Sequence, residues 1–269
     1  MLLTGASGGL GAFMARAFAD CKVNQALVAH PGENLEKLQK EIEDQGGKAI
    51  AITCDLRDAV QRRQLLQDIR KQLGPIDILV NNAGVEFTSI YHELSEEDIY
   101  GMLRVNLEAP MILSKLVLPE MLERKRGHIV NISSLAGKSS PAFQEPYAAT
   151  KAGLIAFTAS LRATYRGSGV SASVIVPGFV EAGIYAKLKA KSGCSAPALI
   201  GTSPPEAISH AVIRAIQYDL PEIIVNPLPV RPLLALAALF PSLGGWLSGK
   251  IGANEFFRKV VEAQKRGKT

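Results

Sequence analysis

The chain has 269 residues, 47% hydrophobic and 20% charged, with a formal net charge of +5, a length that suits one large α/β unit with a sizeable core, so 1–269 is read as a single domain. Its three cysteines, Cys21, Cys54 and Cys194, are too few and too widely spaced for a disulfide framework or a zinc site, which excludes a stapled secreted module and a metal centre and points to a reducing cytoplasm. Cations are scattered except for short clusters at 123–126 and 265–268, so a nucleic-acid-binding stripe is excluded, and no uncharged run forms a clean membrane span.

The Gly-rich apolar stretch from Met1 to Ala19 ends in Ala17-Phe18-Ala19, which imitates a signal-peptidase site. It has no basic leading region and carries Arg16 inside the apolar run, so it reads as part of the fold and not as a leader. Only Met1, Leu2 and Leu3 precede the glycine loop, where a central strand usually has about five or six residues; the first strand is expected to be stunted or to begin late. Beyond the helix Ala12–Asp20, β-branched apolar runs alternate with stretches of helical period. Strands are predicted at Gln25–Ala29, Lys48–Thr53, Ile76–Asn81, His128–Ser133, Val170–Val176 and Glu222–Val225, with helices between them. The clearest helices are Leu56–Leu73, entered from Asp58 and ended before Gly74-Pro75, and Pro146–Arg166. Alternation of this kind predicts a doubly wound parallel sheet of about seven strands with helices on both faces.

Three segments carry chemistry. Thr4-Gly5-Ala6-Ser7-Gly8-Gly9-Leu10-Gly11 lies between the first strand and a helix; glycines there permit close backbone approach, and the helix N-terminus offers N–H groups to a pyrophosphate. Asn81-Asn82-Ala83-Gly84 ends a central strand, where the helices of a doubly wound sheet diverge to admit ligands. Tyr147 and Lys151 stand four apart in a helix and project from one face. Free tyrosine titrates near pH ~10, so acid–base work near neutrality needs about 4 kcal/mol of differential stabilisation, which a nearby ammonium is expected to supply. The spacing alone is weak, because Tyr185 and Lys189 share it. Context separates the pairs: Ser134 follows a strand thirteen residues before Tyr147, whereas Ala172 holds the matching place before Tyr185.

From Thr4 to Gly178 the sequence resembles the short-chain dehydrogenase/reductase family, matching its Thr-Gly-x-x-x-Gly-x-Gly at Thr4, Gly5, Gly9 and Gly11 and its serine motif at Asn131-Ile132-Ser133-Ser134, with the second serine at the family's spacing. The resemblance implies hydride transfer between NAD(P)(H) and a carbonyl or alcohol. Catalytic roles fall to Asn106, which positions a water beside the lysine, and to Ser134, Tyr147 and Lys151. The implied cofactor contacts are Gly5, Ser7, Gly9, Leu10, Gly11, His30, Asp55, Leu56, Asn82, Ala83, Gly84, Tyr147, Lys151, Pro177, Gly178 and Val180. A homodimer or homotetramer is implied through the long helices around Asn106 and Tyr147. The chain departs from the family at Ala182, where a threonine often contacts the carboxamide.

The second strand ends in Ala29-His30-Pro31-Gly32, with no acid to bond a ribose 2′-OH; this favours NADP, with NAD the alternative. Residues 182–205 are expected to form a substrate lid with a helical stretch at Gly183–Lys191, and 227–269 a C-terminal helical extension. Within the extension, 227–249 has Arg231 as its sole charge and holds the chain's one tryptophan, Trp246. That segment is read as a packing segment, an apolar substrate entrance or a peripheral membrane contact. The substrate expected is a lipophilic carbonyl or alcohol. The alternatives are an epimerase or dehydratase on the same scaffold, or a catalytically silent cofactor-binding regulator.

Overall fold

The computed structural model describes residues 1–266; the end of the basic cluster at 265–268 and of the extension lies outside the described residues. Among them, seven strands form one parallel sheet: β1 (Leu2–Thr4), β2 (Gln25–Ala29), β3 (Ala49–Thr53), β4 (Ile78–Asn81), β5 (Gly127–Ile132), β6 (Val170–Pro177) and β7 (Glu222–Val225), in the order β3-β2-β1-β4-β5-β6-β7. The predicted strands are all present, with ends shifted by one or two residues. The short β1 takes a full central place, because three residues suffice to register Leu2 with Ala26 on one side and Leu79 on the other.

Period-two alternation sorts the side chains. Leu3, Leu27, Val80, Val130 and Ile175 face helices α1 (Gly9–Asp20), α2 (Glu36–Asp44) and, from later in the chain, α9 (Pro205–Gln217). Their neighbours Leu2, Ala26, Leu79, Ile129 and Ala172 face α3 (Ala59–Leu73) and α5 (Ala109–Glu123) on the opposite side. The α3 helix is shorter than expected at its start, because Asp58 accepts from the N–H groups of Val60 and Gln61 and so caps it.

A buried polar line ties the centre together: Asn81 Nδ2 donates to Asn131 Oδ1 at 2.8 Å, and Asn131 Nδ2 donates to Thr158 Oγ1 at 2.8 Å. Thr158 lies in α7 (Glu145–Thr164), the helix that also carries Tyr147 and Lys151. Between α4 (Glu96–Leu103) and α5 the helix widens to a π turn at Arg104–Glu108. After the short α6 (Ala136–Ser139) and the segment 182–205 with α8 (Gly183–Ser192), the extension comprises α10 (Arg231–Leu239), α11 (Pro241–Ile251) and α12 (Ala253–Arg266). Its last helix folds back: Phe256 and Phe257 pack with Phe179 and Tyr185, joining α12 to α8.

Candidate active site

Strand order reverses between β1 and β4, and the segments leaving those two strands frame a cleft there. Thr4 Oγ1 accepts from the N–H groups of Asn82 and Ala83, and Asn82 Nδ2 donates to the carbonyls of Thr4 and Gly5. The Asn82 side chain therefore builds the glycine loop. A Cβ on Gly11 would sit 2.0 Å from the Gly5 carbonyl oxygen, so only glycine lets helix α1 start this close to its own loop. That helix has no acidic residue in its first turn and no side chain capping its N–H groups, and Gly8 faces open space. These free donors and this backbone cradle fit a cofactor pyrophosphate. On the far side, a Cβ on Gly9 would fall 2.3 Å from Gly183 Cα, so the start of α8 rests directly on the cradle.

Gly5, Ser7, Gly9, Leu10, Asn82, Ala83, Gly84, Ser134, Tyr147, Lys151, Pro177, Gly178 and Val180 share the wall of this one cleft. Gly11, His30, Asp55, Leu56 and Asn106 stand behind or beside it. Leu56 is buried in the apolar layer under α3. Asp55 is chelated by Arg57, whose Nη2 lies 2.7 Å from Oδ2, and this bonding draws its carboxyl down to about 2. Arg57 Nη2 is also 3.4 Å from His30 Nε2, so nitrogen donors gather at the tips of β2 and β3. Glu33, close along the chain from His30, bonds the Ser7 hydroxyl at the cradle's edge.

Both serines line the cleft but take different partners. Ser133 is buried and donates to the Lys151 carbonyl at 2.8 Å, holding α7 against the sheet. Ser134 receives the Ala136 N–H at 3.1 Å, shares the cleft wall with Tyr147, and acts to lower the pKa of its phenol. Lys151 Nζ lies 5.7 Å from the Tyr147 ring centre and donates to the Ile132 carbonyl at 2.9 Å; burial draws its pKa down to about 8. One expectation needs correction. Burial pushes the Tyr147 phenol above its ordinary value, and the Glu86 carboxylate pushes the same way, against the Ser134 bond. The ammonium does not offset this, because it is itself desolvated and bound to a carbonyl.

Asn106, fully buried in the π turn, receives the Val85 N–H at 2.9 Å and donates to the Val85 carbonyl at 2.8 Å. Its amide thus fixes the strand end that carries Gly84 beside Lys151. The second spacing match is structural: the Tyr185 hydroxyl accepts from the Ala196 N–H, and Lys189 pairs with Glu181 at 3.3 Å. Sequence reasoning passed over Arg57, Glu86, Gln144 and Phe257. Glu86, an acid two residues after Gly84, was the one local signal; Gln144 and Phe257 reach the cleft from distant segments.

The Tyr147 phenol, a group that can give or take a proton, opens into the same cleft as a cradle suited to a dinucleotide, an arrangement that fits a nicotinamide-dependent oxidoreductase. The chain belongs to the short-chain dehydrogenase family, whose model matches residues 1–193, and whose members are NAD(P)-dependent dehydrogenases and reductases. It is 38% identical over 267 residues to the ketoacyl reductase HetN of Nostoc sp. (strain PCC 7120), covering 97% of this chain and 92% of that one. It is 35% identical over 239 residues to the oxidoreductase UcpA of Salmonella typhimurium, covering 88% and 86%. Among solved structures it resembles an actinorhodin polyketide ketoreductase variant with NADPH (TM-score 0.78, 28% identity, 83% of this chain and 94% of that one). A Sphingobium yanoikuyae short-chain dehydrogenase in complex with NADPH is similar at TM-score 0.76 and 25% identity, covering 92% and 94%.

Proposed function

We propose that this protein interconverts a lipophilic carbonyl compound and its alcohol with NADP as the preferred cofactor, Tyr147 acting as general acid and base. The observation that carries this reading is the convergence of Ser134, Tyr147 and Lys151 on one cleft with the glycine loop. Bound cofactor supplies or accepts the hydride. Ser134 would polarise the substrate oxygen and Tyr147 give or take its proton, while Lys151, whose Nζ donates to the Ile132 carbonyl at 2.9 Å, would hold the nicotinamide ribose and set a cation beside the phenol. The side chains of Ile184, Leu188, Ile200 and Phe257 favour an apolar substrate, with 182–205 as its lid.

Support for NADP comes from Arg57 and His30 at the tips of β3 and β2, where β2 itself ends without an acid and the next carboxylate, Glu33, is engaged by the Ser7 hydroxyl, together with the NADPH-bound relatives. A parallel fluorescence titration with NADPH and NADH tests it: tighter NADPH binding is expected, and a tenfold preference for NADH overturns it. An apolar groove lined by Met111, Leu118, Leu122, Phe157 and Leu161 between α5 and α7 supports self-association as a homodimer or homotetramer, which sedimentation checks. Free cysteines support a cytoplasmic location. No helix among the described residues is long and apolar enough to cross a membrane, but exposed Leu239, Phe240 and Trp246 support peripheral membrane contact through 227–249, which vesicle flotation tests. The presence of Ser134, Tyr147 and Lys151 in one cleft favours catalysis over a silent regulator, and net consumption of NADPH separates reduction from epimerase or dehydratase chemistry.

A further inference from the structure

The substrate end of the cleft holds a carboxylate that the chemistry above leaves unused. Glu86 is half-buried in the cleft wall, on the segment that Asn106 fixes. Its protein partners converge on a single oxygen. The Thr88 hydroxyl donates to Oε1, and Gln144 Nε2 donates to the same Oε1 at 2.7 Å and to Thr88 Oγ1 at 2.9 Å. The directions are forced: an amide nitrogen only donates, and the one hydroxyl hydrogen of Thr88 points at Glu86. No hydrogen bond from the described residues reaches Oε2, and Glu86 lines the cleft without being fully buried, so this oxygen stays accessible there. Two electrostatic couplings bracket the position. The Glu86 charge opposes ionisation of Tyr147 on one side, and Lys191, at the end of α8, acts on Glu86 from the other. Glu86 shares the cleft wall with Tyr147 and with Ile184, Lys187 and Leu188 of α8, within reach of the part of a substrate that flanks its reacting carbonyl.

We propose that Glu86, locked by Thr88 and Gln144, is a specificity subsite whose Oε2 accepts a hydrogen bond from the substrate, selecting carbonyl compounds that carry a hydroxyl or N–H donor near the carbonyl on an otherwise apolar frame. The inference rests on the oxidoreductase reading and narrows it. An acceptor that the bound substrate shields from water rejects an analogue lacking the donor, because the acceptor is then left unpaired.

The test uses matched ketones: one with a hydroxyl near the carbonyl, its methyl ether, and the parent without oxygen. For the wild type, kcat/KM for the hydroxy ketone exceeds that for the ether about 10- to 100-fold, as expected for a hydrogen bond to a charged group. Glu86→Gln gives a sharper forecast. Thr88 and Gln144 still donate, so the amide oxygen must take the Oε1 place and its NH2 must face the substrate; hydroxyl and ether oxygens both accept from it, so the preference for the hydroxy ketone over the ether is lost while both exceed the parent. Glu86→Met, which neither donates nor accepts there, brings the two substrates to within about threefold and serves if the Gln variant fails to bind NADPH. A wild type active on all three ketones without preference, or a preference that persists in both variants, overturns the subsite. A wild type that binds cofactor yet reduces no carbonyl overturns the underlying reading as well, and so the two failures are distinct.

Discussion

Replacing Asn106 with alanine exposes what the π turn is for. The Asn106 amide satisfies both the N–H and the carbonyl of Val85, at 2.9 and 2.8 Å, and reaches Thr150 Oγ1 at 3.3 Å. Asn106→Ala leaves two part-buried backbone groups unpaired at about 1–2 kcal/mol each, so the variant should lose about 2–4 kcal/mol. Asn106→Asp gives no rescue, because it still receives the Val85 N–H but sets a carboxylate oxygen against the Val85 carbonyl. Equilibrium urea denaturation of both variants measures this. The loss should reach function too: Gly84 and Glu86 flank Val85, so kcat should fall more than cofactor affinity changes. An Asn106→Ala protein within about 0.5 kcal/mol of the wild type would refute the reasoning, since that is the range of an ordinary surface substitution.

Acid should destabilise the fold through His128. Burial against Ser173 holds its pKa down at about 4, from 6.5, so the unfolded chain takes up the proton first. Its contribution is complete above pH ~6.5 and is lost as pH falls through 4, about 3 kcal/mol in all; the stability gap between the wild type and His128→Gln should shrink by about that much from pH 7.5 to 4, and a pH-independent gap would count against it. Ser134→Ala should lower kcat about a hundredfold with little change in stability, whereas Ser133→Ala should cost about 1 kcal/mol and spare most turnover; paired kinetics and denaturation decide, and the reverse pattern would exchange their roles. Arg57→Ala should weaken NADPH binding more than NADH binding in parallel titrations, and equal losses would remove Arg57 from phosphate recognition.

The sheet was legible because its strands are short β-branched runs closed by polar turns, and β7 matches its predicted ends at Glu222 and Val225. The cradle and the Tyr147–Lys151 pair were legible because their functions demand fixed spacings along one loop and one helix face. Asn106 was visible as a polar residue at a helical position, but the π turn was not, since a one-residue widening leaves no mark in periodicity. The phenol's upward shift depends on desolvation and on a carboxylate 61 positions away in the chain from Tyr147, and the Glu86 subsite exists only because Gln144 arrives from |i−j| = 58. Tertiary proximity of that kind has no local signature.

The most direct test of the account is NADPH consumption with a reducible lipophilic ketone by the wild type and Tyr147→Phe, alongside NADPH titration of both. The account predicts closely similar cofactor affinity with turnover reduced by about 10²–10⁴-fold, the usual worth of a positioned general acid. A Tyr147→Phe protein that binds NADPH and reduces the ketone at the wild-type rate would contradict it.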